Sequence, residues 1–414
     1  MADFDVAVLG AGIVGVSTAL WLRMRGHAVV LVDPAVPGSG TSSGNACTIA
    51  TYACLPVNDP SVLSGLPGLL FGGDSPLSVS WSHALRNPRW MLSFLANCRA
   101  GRSQAISEAL ARLLAHAEAG LMPLIEEAEA EDLILSRGQI SVWSTEQGAE
   151  GAEAGLRRRA ALGVAYRELT MGELRDMEPG LGLEARRAVH FHDARHVPDP
   201  LALVQRFHAR FGALGGETLV ARAVECRESA EGVRITLDDG REVGAGHAVI
   251  AAGAFSHRIR GGGAECMPLG TERGYHLMYS GEAHRVTRPV GWGEGGFYAV
   301  PTDLGLRLAG TVEIAAREAP VNAGRLDYLA RRGREMFAGL PEPSSHWMGY
   351  RPTLPDSLPA IGRAPGGQRV IHAFGHQHLG LTLGGITGRI VADLVEGRAP
   401  NMALTAYDPA RRFV

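Results

Sequence analysis

Two hydrophobic patterns alternate along the chain. Short apolar runs, typical of buried strands, occupy 6–9, 28–32 and 247–252. Apolar residues at spacings of three and four over 81–130 and 200–216 predict helices. Strand and helix follow each other at the start, the middle and the end of the chain, an order typical of an α/β fold with a parallel sheet.

A different pattern interrupts this order. A strand is predicted at 138–144 and several more over 268–315. The residues 238–240, Asp-Asp-Gly, predict a hairpin turn. Thr170 with Glu173 three residues later predicts a helix that begins with a capping box, and Pro123 predicts a bend or a break in the helical region around it. The strand-rich part indicates a second, α+β unit inserted into the α/β unit.

The first strand, helix and strand form one recognisable unit. Gly10, Gly12 and Gly15 make a Gly-x-Gly-x-x-Gly turn between a strand and a helix, and Asp33 ends the next strand. Such glycines allow a tight turn, a close approach to a pyrophosphate and close helix packing, and the acid is placed for a ribose hydroxyl. The unit therefore predicts a dinucleotide site. Its predicted binding residues are Gly10, Gly12, Ile13, Val14, Gly15 and Asp33.

The chain has 414 residues, a length that favours two domains. A discontinuous Rossmann-like cofactor-binding domain is predicted over 1–80, 193–264 and 345–414. An interleaved substrate domain with an antiparallel sheet is predicted over 81–192 and 265–344. A simple NAD dehydrogenase usually has its cofactor fold in one contiguous block, so this order favours another dinucleotide.

Composition narrows the class further. The formal net charge is −3 without a dominant basic block, which argues against nucleic acid as a partner. The five cysteines are odd in number and scattered, which suits a cytoplasmic protein, and the fifteen histidines show no metal-ligand spacing, so no metal is predicted. The apolar stretch 6–22 is not interpreted as a signal peptide or a membrane span, because Asp3 and Asp5 precede it and three glycines interrupt it.

Five segments resemble one family of flavoenzymes. The segments 6–33, 41–46 (TSSGNA), 272–278 (ERGYHLM), 349–363 (GYRPTLPDSLPAIGR) and 374–397 resemble the glycine-oxidase and D-amino-acid dehydrogenase branch of the D-amino-acid oxidase (DAO) superfamily. The resemblance runs nearly from end to end. It implies FAD as the cofactor and an amino acid or a related amine as the substrate.

The resemblance and the chemistry of flavins extend the cofactor site. Donors are needed near the flavin N5 and N1–C2=O, and N–H groups of the loop after Thr41 and of a helix predicted at 383–395 are placed to provide them. Cys47 is interpreted either as a covalent flavin link or as a small buried filler. The further cofactor residues are Thr41, Ser42, Ser43, Gly44, Asn45, Ala46, Val224, Ala252, Gly253, Arg351, Gly380, Leu381 and Thr382.

The implied reaction is oxidative deamination, with a hydride moving from the substrate Cα to flavin N5 and the imine hydrolysing to a 2-oxo acid and ammonia. Arg351 is the first choice for the substrate carboxylate, since an arginine fork suits that group. Tyr275 and His276 are adjacent on a strand and face opposite sides, and the resemblance favours Tyr275. The candidate catalytic residues are Arg351, Tyr275, His276, Tyr298, Arg307, Tyr52, His376 and His378.

Several alternatives stay open at this point. The substrate alternatives are those of a D-hydroxyproline dehydrogenase and a glycine or sarcosine oxidase, and the electron acceptor is a quinone or oxygen. A quinone implies peripheral contact with the inner face of the membrane through the apolar segment 63–71. Homo- and hetero-oligomers are both compatible with the sequence. Other classes are an NAD(P)-dependent dehydrogenase, which would purify without bound flavin, and a non-catalytic flavin-carrying subunit.

Overall fold

Two large sheets organise the chain, one mostly parallel and one mostly antiparallel. A computed structural model describes residues 3–60, 62 and 75–413; the predicted membrane-contact segment 63–71 lies outside these residues. The strands are β1 (Phe4–Leu9), β2 (Val29–Asp33), β3 (Thr48–Ile49), β4 (Leu77–Val79), β5 (Gln139–Trp143), β6 (Arg167–Leu169), β7 (Arg187–Phe191), β8 (Arg195–His196), β9 (Glu217–Val220), β10 (Ala223–Glu228), β11 (Val233–Leu237), β12 (Glu242–Ile250), β13 (Gly270–Tyr279), β14 (Val290–Trp292), β15 (Phe297–Thr302), β16 (Gly305–Ile314), β17 (Ser345–Thr353), β18 (Ala360–Arg363) and β19 (Val370–Phe374).

The helices accompany both sheets. They are α1 (Ile13–Met24), α2 (Trp81–Arg86), α3 (Pro88–Asn97), α4 (Ala100–Leu114), α5 (Ala117–Glu127), α6 (Glu146–Ala161), α7 (Met171–Met177), α8 (Pro200–Ala213), α9 (Ala323–Met336) and α10 (Gly380–Val395). Within the residues that the structure describes, no helix is both long and apolar enough to cross a membrane.

The first sheet forms the predicted dinucleotide-binding core. Its order is β10-β11-β12-β1-β2-β9, and β19 also pairs with β12. The strands β1, β2, β9, β12 and β19 run parallel, so their carboxyl ends lie at one edge. Most residues of β1, β2 and β19 and the end of β12 are buried, which explains their continuous apolar runs, whereas β9 lies at the exposed edge of the sheet.

The second sheet carries the strand-rich pattern, in the order β17-β13-β16-β15-β14-β5-β7-β6. The fold class is confirmed, while the exact domain boundaries stay predictions. Two segments that the sequence places in the cofactor domain, Leu77–Val79 and Ser345–Thr353, pair with β16 and β13 of this second sheet. Their backbone groups find partners there, and an isolated segment gives no sign of which sheet will pair with it.

Three local expectations need correction. Residues 247–250 are not a strand of their own but the end of the long strand β12, and residues 251–252 lie beyond the strand. Of the bend or break predicted at Pro123, the break does not occur there, because Pro123 lies inside α5. The carbonyl of Ala119, which loses its backbone donor to Pro123, accepts a hydrogen bond from Arg389 Nη1 (3.3 Å). The helix predicted from residue 383 begins at Gly380, one turn earlier.

Helix α10 packs against α1 and α5 through bare glycines. A Cβ on Gly385 would lie 2.6 Å from Leu121 Cα, and a Cβ on Gly388 would lie 2.8 Å from Ser17 O. Both neighbouring atoms belong to the backbone, so neither can swing aside. Because α10 begins directly after β19, this close packing fixes where its first turn lies relative to the first sheet.

We expect Gly385→Ala to destabilise the holoprotein by about 1–3 kcal/mol or more, because the added methyl forces two helices apart. Gly101→Ala is the matched control, since Gly101 lies in α4 with open space around it. There, alanine should stabilise the protein by about 0.5–1 kcal/mol. Urea unfolding at a fixed excess of FAD measures both. Equal effects at the two positions would contradict the packing argument.

Candidate active site

The carboxyl ends of four parallel strands converge on a single large cavity. Gly10, Asp33, Ala251 and His376 follow or end β1, β2, β12 and β19, and all four line it. Its volume is about 1070 Å³, at the upper end of the roughly 300–1,000 Å³ usual for ligand pockets. The edge where the strands end is where α/β sheets bind ligands.

The glycine turn has the geometry that the motif predicts. Gly10 has φ +113°, and a Cβ there would lie 2.6 Å from Ala251 O. Gly12 is the N-cap of α1 and has no side chain to cap the first-turn N–H groups. Ser42 Oγ accepts from the N–H of Ile13 (2.9 Å). The positive end of α1 therefore faces the cavity without an acidic side chain in its first turn, as a pyrophosphate requires.

Asp33 is fixed at the neighbouring strand end. Its Oδ2 accepts from the N–H of Ala11 (2.7 Å) and its Oδ1 from the N–H of Ala35 (2.8 Å). Because each carboxylate oxygen has further acceptor capacity, the side chain can still bind a ribose hydroxyl. Asp33 lines the cavity together with Val224, another of the predicted cofactor residues.

The loop after Thr41 is held by side chains of the second sheet. Arg307 Nη1 donates to the carbonyls of Ser43 (3.1 Å) and Asn45 (2.9 Å). His276 Nδ1 lies 3.1 Å from Gly44 O. Burial lowers the pKa of His276 to about 4, so the neutral ring donates through Nδ1–H to this carbonyl. The two residues thus orient the loop by its carbonyl groups.

Most of the predicted cofactor residues line the cavity. Those that do are Gly10, Gly12, Ile13, Val14, Asp33, Thr41, Ser42, Gly44, Asn45, Ala46, Val224, Ala252, Gly253, Arg351, Gly380 and Leu381.

Three predicted cofactor residues lie behind the cavity wall. Gly15 packs against the backbone of Gly10, so it serves the close packing of α1. Ser43 Oγ donates to Gly40 O (2.9 Å), and Thr382 Oγ1 accepts from the N–H of Ala50 (2.9 Å). The buried Cys47 thiol also lies behind the wall, with its Sγ 3.3 Å from Arg307 Nη1, and burial raises its pKa to about 11. These contacts favour the filler interpretation of Cys47 over a covalent flavin link.

The register between β13 and β17 decides which side chains of the second sheet share the face of Arg351. Directly paired residues of antiparallel strands point to the same side. The pairs are Arg351 with Glu272, Gly349 with Gly274, and Trp347 with His276. His276 therefore lies on the Arg351 face, stacked on Trp347 with 5.1 Å between the ring centroids.

Tyr275, which the resemblance favours over His276, lies on the face opposite to Arg351. It borders the cavity, but its side chain packs in the core behind the sheet with Leu277 and Tyr279. Its hydroxyl donates to Glu313 Oε2 (2.5 Å) and accepts from the N–H of Asn322 (3.3 Å). Neither His276 nor Arg307 lines the cavity, because both contact the cofactor loop. All three side chains therefore bond protein groups: Tyr275 bonds Glu313, and His276 and Arg307 bond carbonyls of the loop after Thr41.

Arg351 reaches the cavity from β17. Its Nη1 donates to Thr311 O (3.1 Å), and its side chain forms no ion pair within 4.0 Å with any residue in the described part of the chain. Glu272, on the same face, is 1 % exposed, and burial raises its pKa. The guanidinium thus has donors left for an anion in the cavity.

The remaining catalytic candidates surround the same cavity. Tyr52 and Tyr298 both line it, with their hydroxyl oxygens 3.5 Å apart. Tyr52 stacks on Phe191 at 4.4 Å between centroids. His376 and His378 line it as well. His376 is buried, and burial lowers its pKa to about 3, so its ring is neutral at pH 7, whereas His378 is exposed to the cavity.

Sequence reasoning missed several lining residues. Trp347 lies four positions before Arg351 on one strand, so the period of two could have placed both on the same face. Phe255 and Tyr350 form an edge-to-face pair at 6.1 Å. Arg222 and Arg258 line the cavity as well. No pattern in the sequence singles out these two arginines, because their loops are brought to the strand ends only by the fold.

Comparisons with known proteins identify the family. The model of the family described as FAD dependent oxidoreductase (DAO) matches residues 5–394. The D-amino-acid oxidase of Bradyrhizobium diazoefficiens is 33% identical, over 98% of this chain and 98% of that protein. The D-amino acid dehydrogenase 2 of Ralstonia nicotianae is 30% identical, over 98% of this chain and 100% of that protein. The chain therefore belongs to the DAO family of FAD-dependent oxidoreductases.

Solved structures confirm the fold. The glycine oxidase from Geobacillus kaustophilus superposes with a TM-score of 0.75 at 23% identity, covering all of both chains. The L-proline dehydrogenase from P. horikoshii superposes with a TM-score of 0.72 at 17% identity, over 98% of this chain and 96% of that one. The prediction of FAD as the cofactor is confirmed by the family. The start of α1 without an acidic side chain, the fixed Asp33 and the large cavity fit that cofactor.

The neutral, buried ring of His376 predicts that the stability of the folded protein decreases in acid. The pKa of His376 is about 6.5 in an unfolded chain and about 3 in the folded one. Between these two pH values the unfolded state binds more protons than the folded state. The contribution of His376 to stability is therefore fully present above pH 6.5 and is lost as the pH decreases. We expect His376→Asn to flatten this dependence by up to about 1.4 kcal/mol per pH unit. Unfolding of the holoprotein between pH 4 and 7 measures the slope, and an unchanged slope would contradict the assignment.

Proposed function

We propose that the protein oxidises D-amino acids at Cα to 2-oxo acids and ammonia. The single observation that carries this proposal is the guanidinium of Arg351, which shares one cavity with the FAD-binding strand ends. A planar guanidinium matches a carboxylate with two parallel hydrogen bonds. Two relatives that cover nearly the whole chain bear the names of a D-amino-acid oxidase and a D-amino acid dehydrogenase, which favours the D-isomers.

The reaction needs orientation more than acid–base groups. FAD supplies the flavin that accepts the hydride. Arg351 holds the substrate carboxylate and thereby fixes the position of Cα. The neutral ring of the buried His376 adds no positive charge to the cavity, so it does not disfavour an incoming amine. Tyr52, Tyr298 and Ala309 line the same cavity, and their aromatic rings and methyl group present apolar surface to the substrate.

Anaerobic bleaching of the flavin tests the proposal directly. Purified holoprotein is mixed with D-amino acids, L-amino acids, glycine, sarcosine and the hydroxyproline isomers. Fast bleaching by the D-isomers is expected. Bleaching by glycine or sarcosine alone would replace the proposal by the oxidase variant. Bleaching by none of them would overturn amino-acid oxidation by the isolated chain and favour the flavin-carrying subunit.

We propose a quinone as the electron acceptor, with oxygen as the alternative that the same experiment distinguishes. Re-admitting air to the bleached sample should restore the flavin absorbance slowly, whereas a soluble quinone should restore it within the mixing time. Rapid recovery in air would identify an oxidase. Flotation with anionic vesicles tests the proposed peripheral membrane contact, and recovery of all protein in the soluble fraction would count against it.

Arg351→Met should lower kcat/KM for D-amino acids by about 100-fold or more. Each hydrogen bond to a charged group contributes about 1.5–3 kcal/mol, and the variant loses two of them. Arg351→Lys keeps the charge but not the fork, so its loss should be smaller. The corresponding amine without a carboxylate is the control substrate, and its slow turnover should not change. An unchanged KM for D-amino acids in Arg351→Met would contradict the role of Arg351.

A further inference from the structure

The side chain of Arg351 crosses a whole strand before it reaches its partner. Arg351 lies on β17, and β13 separates β17 from β16 in the sheet. Its Nη1 nevertheless donates to Thr311 O on β16 (3.1 Å). The guanidinium therefore lies flat over β13, on the face that is turned to the cavity.

The crossing point is Gly274. A Cβ built there would lie 2.5 Å from Arg351 Nη2, 2.6 Å from Cζ and 2.9 Å from Nε. No real Cβ approaches heavy atoms so closely, so any side chain at this position would lift the guanidinium into the cavity. The guanidinium of Arg351 thus packs directly on the Cα of Gly274, which has no side chain. Gly274 itself lines the cavity.

A bulge opposite Gly274 supplies the hydrogen-bond acceptor. The ladder between β13 and β16 pairs Arg273 with Glu313 and Tyr275 with Gly310, so two residues of β16 face Gly274 alone. One of them, Thr311, has φ 56°, a conformation that costs energy for a β-branched residue. Bulges turn backbone groups out of the ladder, and this one turns the Thr311 carbonyl to Arg351. The strain is retained where it orients the site.

We propose that Gly274 is a positioning residue for the carboxylate subsite. Together with the bulge at Thr311, it sets the height and the plane of the Arg351 guanidinium, and so the place where an α-carboxylate binds. This inference rests on the proposed role of Arg351 and assigns the cause of its orientation. It concerns substrates with a carboxylate next to the oxidised carbon.

Gly274→Ala tests this proposal without disturbing the backbone, because the atoms that the new methyl group displaces are those of the Arg351 guanidinium. The φ of Gly274 is not positive, so alanine fits the backbone. We expect the holoprotein to fold with FAD bound, and the Kd for acetate, measured by the change in flavin absorbance, to rise about tenfold or more. The KM for D-amino acids should rise with it, while turnover of the amine without a carboxylate should not change. Misplacement by about 1 Å suffices for such losses.

A matched variant controls for crowding of the sheet. Gly270 lies on the same strand, and a Cβ there would lie 2.6 Å from Trp90 Nε1, away from the cavity lining. Gly270→Ala should leave the Kd for acetate within a factor of two of the wild type. If it weakens acetate as much as Gly274→Ala does, the effect belongs to the sheet as a whole and the proposal is overturned.

A double-mutant cycle decides the mechanism. If Gly274 acts only through Arg351, then Gly274→Ala should have no further effect on acetate affinity in the Arg351→Met background. An equal loss in both backgrounds would overturn the positioning role. Failure of the proposed function has a different outcome, since Arg351→Met itself would then leave acetate binding unchanged. If Arg351→Met weakens acetate and Gly274→Ala does not, only the present inference fails.

Discussion

The pairing register between β13 and β17 is the constraint that decides which side chains of the second sheet line the cavity. It places Arg351, Gly274 and Trp347 on one face of the second sheet, towards the edge where the parallel strands of the first sheet end. A one-residue slip of β17 would turn Arg351 and Trp347 away from the cavity, whereas a slip of β13 would turn Gly274 away and bring Tyr275 to the front. The buried network of Tyr275, Glu313 and Arg273 on the opposite face opposes such a shift, because its polar groups would lose their partners.

Bare Cα atoms recur wherever this molecule brings groups into unusually close contact. Gly10 lets one strand end meet another, Gly385 lets α10 approach α5, and Gly44 and Gly349 flank the ring of Trp347. Each allows a contact that a methyl group would prevent. The abundance of glycine therefore reflects helix and sheet packing as much as approach to the cofactor.

The support of the cofactor loop explains several residues that looked catalytic in the sequence. Arg307 and His276 are polar and lie on strands beside the site, which is also where substrate-binding residues lie. In the structure their donors bond the carbonyls of Ser43, Gly44 and Asn45. These hydrogen bonds connect the second sheet to the loop after Thr41, so both sheets determine where that loop lies.

The sequence by itself determined the dinucleotide unit, the succession of elements and most of the residues at the cofactor end. These follow from local rules, since Gly10, Gly12 and Asp33 lie within one strand–helix–strand unit whose geometry depends on neighbouring residues. Only the tertiary structure decided the substrate end. Pairing between segments distant in the chain decides which face Tyr275 occupies and where Arg351 lies on Gly274. The fold also brings Arg222 and Arg258 to the cavity. The burial of whole sheets sets the strand register and the placement of the loops. The sequence close to these residues therefore does not determine either of them.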